Sequence, residues 1–245
     1  MKKIIIIPAR LKSTRLPNKL LLDLGGKSII QRVYEQCLKV KNIDDVYIAV
    51  DDEQLLTHCN NFTKNTILTS KDHQSGTDRI ADAAQKIDCD VIVNVQGDEP
   101  FINPELISEI CNCFIEDSSV VMSSAMCPLS LIADITDTNN VKVITDVNKN
   151  AIYFSRLPIP FHRDQTINPN TQSYYKHIGL YGYTKDFLLT LSKLPLTPYE
   201  QAEKLEQLRV LENGYNIQMV TTNDNAIGID TIEDYNKAKS LLNKL

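Results

Sequence analysis

The chain opens on Lys2-Lys3-Ile4-Ile5-Ile6-Ile7-Pro8-Ala9-Arg10, a β-branched run without polar alternation that ends at a proline. That is how a strand buried on both faces reads before it empties into a loop. Ile29, Ile30, Val33, Cys37 and Val40 then recur at helical spacing over 28–40, and Asp45–Val50 returns to strand character, which makes a βαβ unit. The rhythm repeats with helix Glu53–Phe62, short strand Thr66–Leu68, helix Thr77–Ile87 and strand Val91–Val95. Asn103, Pro104 and Glu105 start a further helix: a capping amide, a proline at the first helical position and an acid together serve the unpaired amides and the helix dipole. Such alternation predicts an α/β fold with a mostly parallel sheet flanked by helices.

After Ser119 the pattern changes. VVMSSAM, VKVITD and AIYFSRLPIPF read as strands, with Asp146–Asn150 as a hairpin loop between two of them, so this section is expected to be antiparallel. Prolines at 158, 160 and 169 among polar residues make 157–173 a long loop. Helical spacing returns over Lys185–Leu194 and Tyr199–Leu211, followed by strand Asn216–Thr221 and a last helix Thr231–Leu242. The chain is expected to be one domain, 1–245, with residues 120–185 forming a smaller antiparallel lobe.

Composition, with 42% hydrophobic and 23% charged residues, excludes a disordered or fibrous chain. No apolar run approaches the roughly 20 residues of a membrane span, and no signal peptide is evident, so a cytoplasmic protein without a membrane partner is expected. The net charge of −5 argues against nucleic-acid binding by bulk electrostatics, and any phosphate ligand therefore needs a local basic site. Six cysteines without a CxxC pair read as reduced thiols rather than a zinc site.

One such basic site stands out. Arg10, Lys12, Arg15 and Lys19, with Ser13 and Thr14, crowd the loop that follows the first strand, where open α/β sheets bind ligands; Arg10, Arg15 and Lys19 could clamp a polyphosphate. A merely solvated charged loop is the plain alternative. Gly25-Gly26-Lys27-Ser28 is no P-loop, since position 21 is Leu, and no GxGxxG follows a strand. The strand Val91–Val95 delivers Asp98 and Glu99 to its carboxyl end, where Mg²⁺ could join a carboxylate to substrate phosphates. Asp230, at another strand-to-helix junction, is the candidate second ligand, with ordinary capping as its alternative. Asp72–Arg79 is a polar turn entering a helix, and Lys176–Tyr183 alternates glycines with aromatics; His177 there has no Ser or Cys partner pattern and reads as a binding residue.

Taken together, IPARLKSTRLPNK, DHQSGTDR, NVQGDEP, AIYFSRLPIPFHRD, KHIGLYGY, EKLEQLRVLENG and GIDTIEDY, in that order along nearly the whole chain, resemble the 3-deoxy-manno-octulosonate (Kdo) cytidylyltransferases, or CMP-Kdo synthetases. The sequence departs from the family pattern at Asn18, Leu20 and Ser28, where glycine, proline and proline are usual, but keeps Lys19. The resemblance implies a Rossmann-like nucleotidyltransferase sheet with a sugar-binding and dimerisation section. It implies transfer of CMP from CTP to the anomeric hydroxyl of Kdo, with release of pyrophosphate, for lipopolysaccharide synthesis. On that pattern Arg10, Ser13, Arg15 and Lys19 hold the triphosphate; Gln74, Ser75 and Arg79 lie around the cytidine; Asp98 and Asp230 bind Mg²⁺, with Arg10, Lys19, Asp98 and Asp230 as the catalytic set. Arg156, His177, Tyr181, Glu206 and Gln207 line the sugar pocket, with Gln96 between the ligands, and the enzyme is a homodimer with FSRLPIPFHRD near the contact. An 8-amino-Kdo or other acid-sugar cytidylyltransferase, or a non-catalytic nucleotide-binding relative, are the alternatives.

Overall fold

The computed structural model describes residues 1–73, 75–163, 166–224 and 228–242. They fall into two compact units, Met1–Cys111 with Ala226–Leu245, and Asn112–Asn225.

In the first unit β1 (Lys3–Ala9), β2 (Asp45–Val50), β3 (Thr66–Leu68) and β4 (Val91–Asn94) run parallel in the order β3-β2-β1-β4. The central position of β1 accounts for its missing alternation: Ile4 to Ile7 are all at 0% exposure. Each such side chain contributes roughly 1.5–3 kcal/mol through removal from water. Helices α1 (Ile29–Cys37), α2 (Glu53–Cys59), α3 (Gly76–Gln85) and α4 (Pro104–Glu116) alternate with the strands as the pattern predicts. Their starts are locally encoded. Ser28 caps α1 by accepting from the Gln31 amide at 3.3 Å. Ser75 and Asp78 form a reciprocal capping box at α3.

In the second unit β5 (Met122–Pro128) is followed by the short α5 (Ile132–Thr136), then by β6 (Lys142–Thr145) and β7 (Ala151–Ser155), which form an antiparallel hairpin. Its turn is the expected Asp146–Asn150, closed by the Asp146 carboxylate, which accepts from the amides of Asn148 at 2.9 Å and Asn150 at 2.7 Å. β8 (Tyr175–Thr184) pairs antiparallel with β5 and β6, so the strands of 120–185 are antiparallel as expected, while the later β9 (Gln218–Thr221) joins β5 in parallel. The β5–β9 pairing also carries the unit well past residue 185.

Helix α6 (Lys185–Leu191) matches the pattern. The single helix expected over 199–211 is instead two, α7 (Pro198–Glu203) and α8 (Gln207–Glu212), because Lys204 takes a left-handed conformation, φ 55°. The break turns α8 back so that the Arg209 guanidinium meets the Glu200 carboxylate, both buried. Among the described residues 156–174 form neither helix nor strand, as the prolines foretell. The tail helix α9 (Ile232–Leu242) belongs to the first unit. All six cysteines are free thiols, and no helix among the described residues is long and apolar enough to cross a membrane.

Candidate active site

In the first unit the chain moves outward from β1 to β2 and β3 and then returns to β4 on the other side of β1, so the strand order reverses between β1 and β4. Ligands bind beyond the carboxyl ends of strands at such a reversal. There the loops that leave β1 and β4 border a cavity of about 320 Å³, lined by Arg10, Lys12, Ser13, Arg15 and Lys19 from one side and Gln96, Gly97 and Asp98 from the other, with Asp230. Gly97 permits the approach: a Cβ on it would stand 3.0 Å from the Pro8 carbonyl oxygen.

The lysine is placed by backbone geometry. Asn18 is left-handed, φ 52°, and leads into the 3₁₀ turn Lys19–Leu21, which buries Lys19 beside Leu20. Glycine suits such a position best and asparagine next, so this departure from the family pattern keeps the turn. The Lys19 ammonium donates to Asp98 Oδ2 at 2.5 Å and to Asp230 Oδ1 at 2.9 Å, while Arg15 pairs with Asp230 Oδ2 at 3.0 Å. Burial opposes the lysine's charge, but the two carboxylates outweigh it and raise its pKa above the ordinary value. Asp230 is held at the start of α9, where the Asp234 carboxylate accepts from the amides of Asp230 at 3.2 Å and Thr231 at 3.0 Å. The Ile229 amide donates to the Asp98 carbonyl at 2.9 Å, so the two carboxylate-bearing segments are stitched to each other directly.

Asp98 and Asp230 therefore converge on one cationic centre, and their oxygens lie within the sum of the two lysine distances of each other. That donor set fits Mg²⁺, which takes oxygen ligands and is usually held by one or two carboxylates plus substrate phosphates. Among the described residues no group of three or more His, Cys, Asp or Glu is placed to hold a metal, so further ligands would come from substrate and water.

The residues expected around the base fare differently. Gln74 lies outside the described residues. Ser75 spends its hydroxyl on the Asp78 amide at 3.0 Å. Arg79 is at 0% exposure and does not line the cavity; its guanidinium donates to Thr69 Oγ1 at 2.8 Å and lies 3.5 Å from Asp51. Asp51 in turn accepts from the Leu11 amide at 2.9 Å, which ties the loop after β2, and through Arg79 helix α3, to the basic loop. Sequence reading passed over Asp51, although an acid at the end of a parallel strand is the same signal that singled out Asp98.

The second unit gathers another set. His177 lies on β8, buried, with Nε2 3.0 Å from Ser124 Oγ and Nδ1 3.4 Å from Gln207 Nε2. Burial drives its pKa down to about 3, so the imidazole is neutral. Gln207 as donor to Nδ1 leaves the proton on Nε2 for Ser124, whose hydroxyl donates onward to the Leu180 carbonyl at 2.9 Å. Phe154 and Tyr181 pack on the ring at 4.9 and 5.4 Å between centroids. Glu206 precedes α8 and is half-buried. Arg156, just past β7, donates through its backbone amide to Glu203 Oε2 at 2.9 Å, through Nε to the Glu203 carbonyl at 2.8 Å and through Nη1 to the Thr138 carbonyl at 3.1 Å. Glu203 and the buried Lys142 were missed; the one signal for Lys142 was a cation between two valines in a strand.

Comparison with known proteins agrees with this arrangement. A cytidylyltransferase family model matches residues 4–220. A 3-deoxy-manno-octulosonate cytidylyltransferase of Chloroherpeton thalassium is 46% identical, with 100% of this chain and 99% of the relative covered. One of Geotalea uraniireducens is 44% identical, with 100% of each covered. A solved structure of CMP:2-keto-3-deoxy-manno-octonic acid synthetase complexed with CTP aligns at a TM-score of 0.95 and 36% identity, over 100% of this chain and 99% of that one. The α/β frame is thus that of a nucleotidyltransferase, and the chain belongs to the 3-deoxy-manno-octulosonate cytidylyltransferase family.

Proposed function

We propose that this protein transfers CMP from CTP to the anomeric hydroxyl of Kdo, releasing pyrophosphate and forming the CMP-Kdo used in lipopolysaccharide synthesis. The observation that carries the reading is the meeting of Asp98, Asp230 and Lys19 at the mouth of a cation-lined cavity. A triphosphate and an ionised sugar acid repel one another, so the site must neutralise both before the hydroxyl approaches the α-phosphate. Arg10, Arg15 and Lys19 supply fixed positive charge to the triphosphate, and Ser13 a hydrogen bond; catalysis then rests on positioning and preorganised electrostatics. Asp98 and Asp230 would hold Mg²⁺, which when bound polarises phosphate oxygens and acidifies a coordinated hydroxyl. Lys19, pinned by both carboxylates, stays protonated and carries its charge to the phosphates when the nucleotide enters.

On the sugar side Arg156 offers its guanidinium to the carboxylate, while neutral His177, with Tyr181, Glu206 and Gln207, provides hydrogen bonds and ring surface. His177 orients and does not shuttle protons, since burial keeps the imidazole neutral and disfavours the imidazolium that a proton relay would pass through. We further propose a cytoplasmic homodimer with contacts near FSRLPIPFHRD; Leu157 and Phe161 there are 65% and 85% exposed, apolar surface that a partner copy would cover. Pyrophosphate release with Mg²⁺, CTP and a panel of acid sugars tests the whole reading. Turnover with Kdo above all others is expected; nucleotide binding without pyrophosphate release from any sugar would overturn it.

A further inference from the structure

Lys142 is a cation at 0% exposure, in register opposite Ser155 across the β6–β7 hairpin, and among the described residues no carboxylate comes within ion-pair distance of it, although Asp137 and Glu203 lie near enough to favour its charge. Its ammonium instead spends three hydrogen bonds on backbone carbonyls: Asp137 at 2.9 Å, Asn140 at 2.5 Å and Arg156. Burying an ammonium among neutral carbonyls is a costly way to brace a strand end, which an apolar side chain would do more cheaply. What the brace holds is Arg156. Its carbonyl is taken by Lys142, its amide and Nε by Glu203, and Nη1 by Thr138, while Nη2 has no partner among the described residues. Glu203 is itself fixed, Oε1 accepting from Ser155 Oγ at 2.8 Å. A long, flexible side chain is thereby locked along one edge with a donor left over, which is the preorganisation a planar carboxylate requires.

We propose that Lys142 is a positioning residue: through the Arg156 backbone, and with Glu203, it aims the guanidinium at the carboxylate of the acid sugar. The proposal rests on the reading that Arg156 meets that carboxylate.

The test is steady-state kinetics on Lys142→Met, Glu203→Gln, Arg156→Ala and the double variant Lys142→Met/Arg156→Ala, with Kdo and CTP varied separately. Lys142→Met is expected to raise KM for Kdo about tenfold and leave KM for CTP within twofold, the loss of one well-placed charge-assisted contact being worth about that factor. The double variant is expected to match Arg156→Ala alone, because a brace has no effect once its object is gone. Should Lys142→Met fail to fold, Glu203→Gln decides by the same split. Equal changes in both KM values, or fully additive losses in the double variant, would show a general structural role and overturn the proposal. An unchanged KM for Kdo in Arg156→Ala would overturn the assignment of Arg156 itself, and the brace with it.

Discussion

Asp98→Asn keeps the shape of the side chain and removes its charge, so it separates the chemistry of the site from its architecture. In the free protein the loss falls on Lys19, which gives up a carboxylate at 2.5 Å but retains Asp230 at 2.9 Å. The Asp98 side chain is 25% exposed, and the asparagine carbonyl still accepts from the ammonium. The cost to the fold should then be about 1–2 kcal/mol, below the 3–5 kcal/mol of a buried charge stripped of its only partner. For a chain of this size that lowers the unfolding midpoint by about 2–8 °C. Transfer, in contrast, loses one of two carboxylates proposed to hold Mg²⁺ against the phosphates. An electrostatic element of that kind is worth about 2.7–4 kcal/mol in the transition state, or 10²–10³-fold in turnover. Pyrophosphate release at saturating CTP, Kdo and Mg²⁺, measured beside a thermal melt, reads both quantities. Turnover within threefold of the parent in a normally folded variant would refute the metal assignment; a collapse of the melt would instead place Asp98 in the scaffold.

Lys19→Ala removes the cation nearest the two aspartates and should raise KM for CTP far more than it lowers the melting point; unchanged CTP kinetics would count against its role. Asn18→Val forces a β-branched residue into the left-handed region and should cost about 1–2 kcal/mol by denaturant titration, whereas Asn18→Gly should stay within a few tenths; equal stabilities would mean that the φ of 52° does not constrain the turn. Burial depresses the pKa of His177 from 6.5 to about 3, so below pH 6.5 the unfolded chain takes up a proton that the folded one refuses. This contribution to stability is complete above pH 6.5 and falls as pH drops towards 3, at a limiting slope of roughly 1.4 kcal/mol per pH unit. His177→Gln should therefore flatten the acid limb of a melt-versus-pH curve, and parallel limbs for parent and variant would contradict it.

Local information accounts for much of what was legible beforehand. An unbroken apolar run such as Ile4–Ile7 can only be satisfied by burial on both faces, so the parallel strands announced themselves. The start of α4 was equally visible, because Asn103 acts on an amide two residues away. Asp98 and the basic loop could be nominated because each lies just past a strand whose direction the pattern had already established. Family motifs then supplied the chemistry, and even the unusual Asn18 makes physical sense as the next-best left-handed residue.

Only packing decided the rest. Lys19 and Asp230 are 211 positions apart, and no periodicity encodes that the same ammonium touches Asp230 and Asp98; the Ile229–Asp98 backbone bond and the α9 cap bring it about. Helical spacing ran straight through Lys204, since it registers which faces are apolar and is blind to a single left-handed residue that folds α8 back onto Glu200. Arg79, which the family pattern puts beside the cytidine, is enclosed by Thr69, Ser70 and Asp51, and Lys142, which drew no notice in the sequence, is buried with its ammonium on the Arg156 carbonyl. Charge type can be read from a sequence, but the partner of a charge depends on which distant segments share its surroundings, and that is settled only when the tertiary structure closes around it.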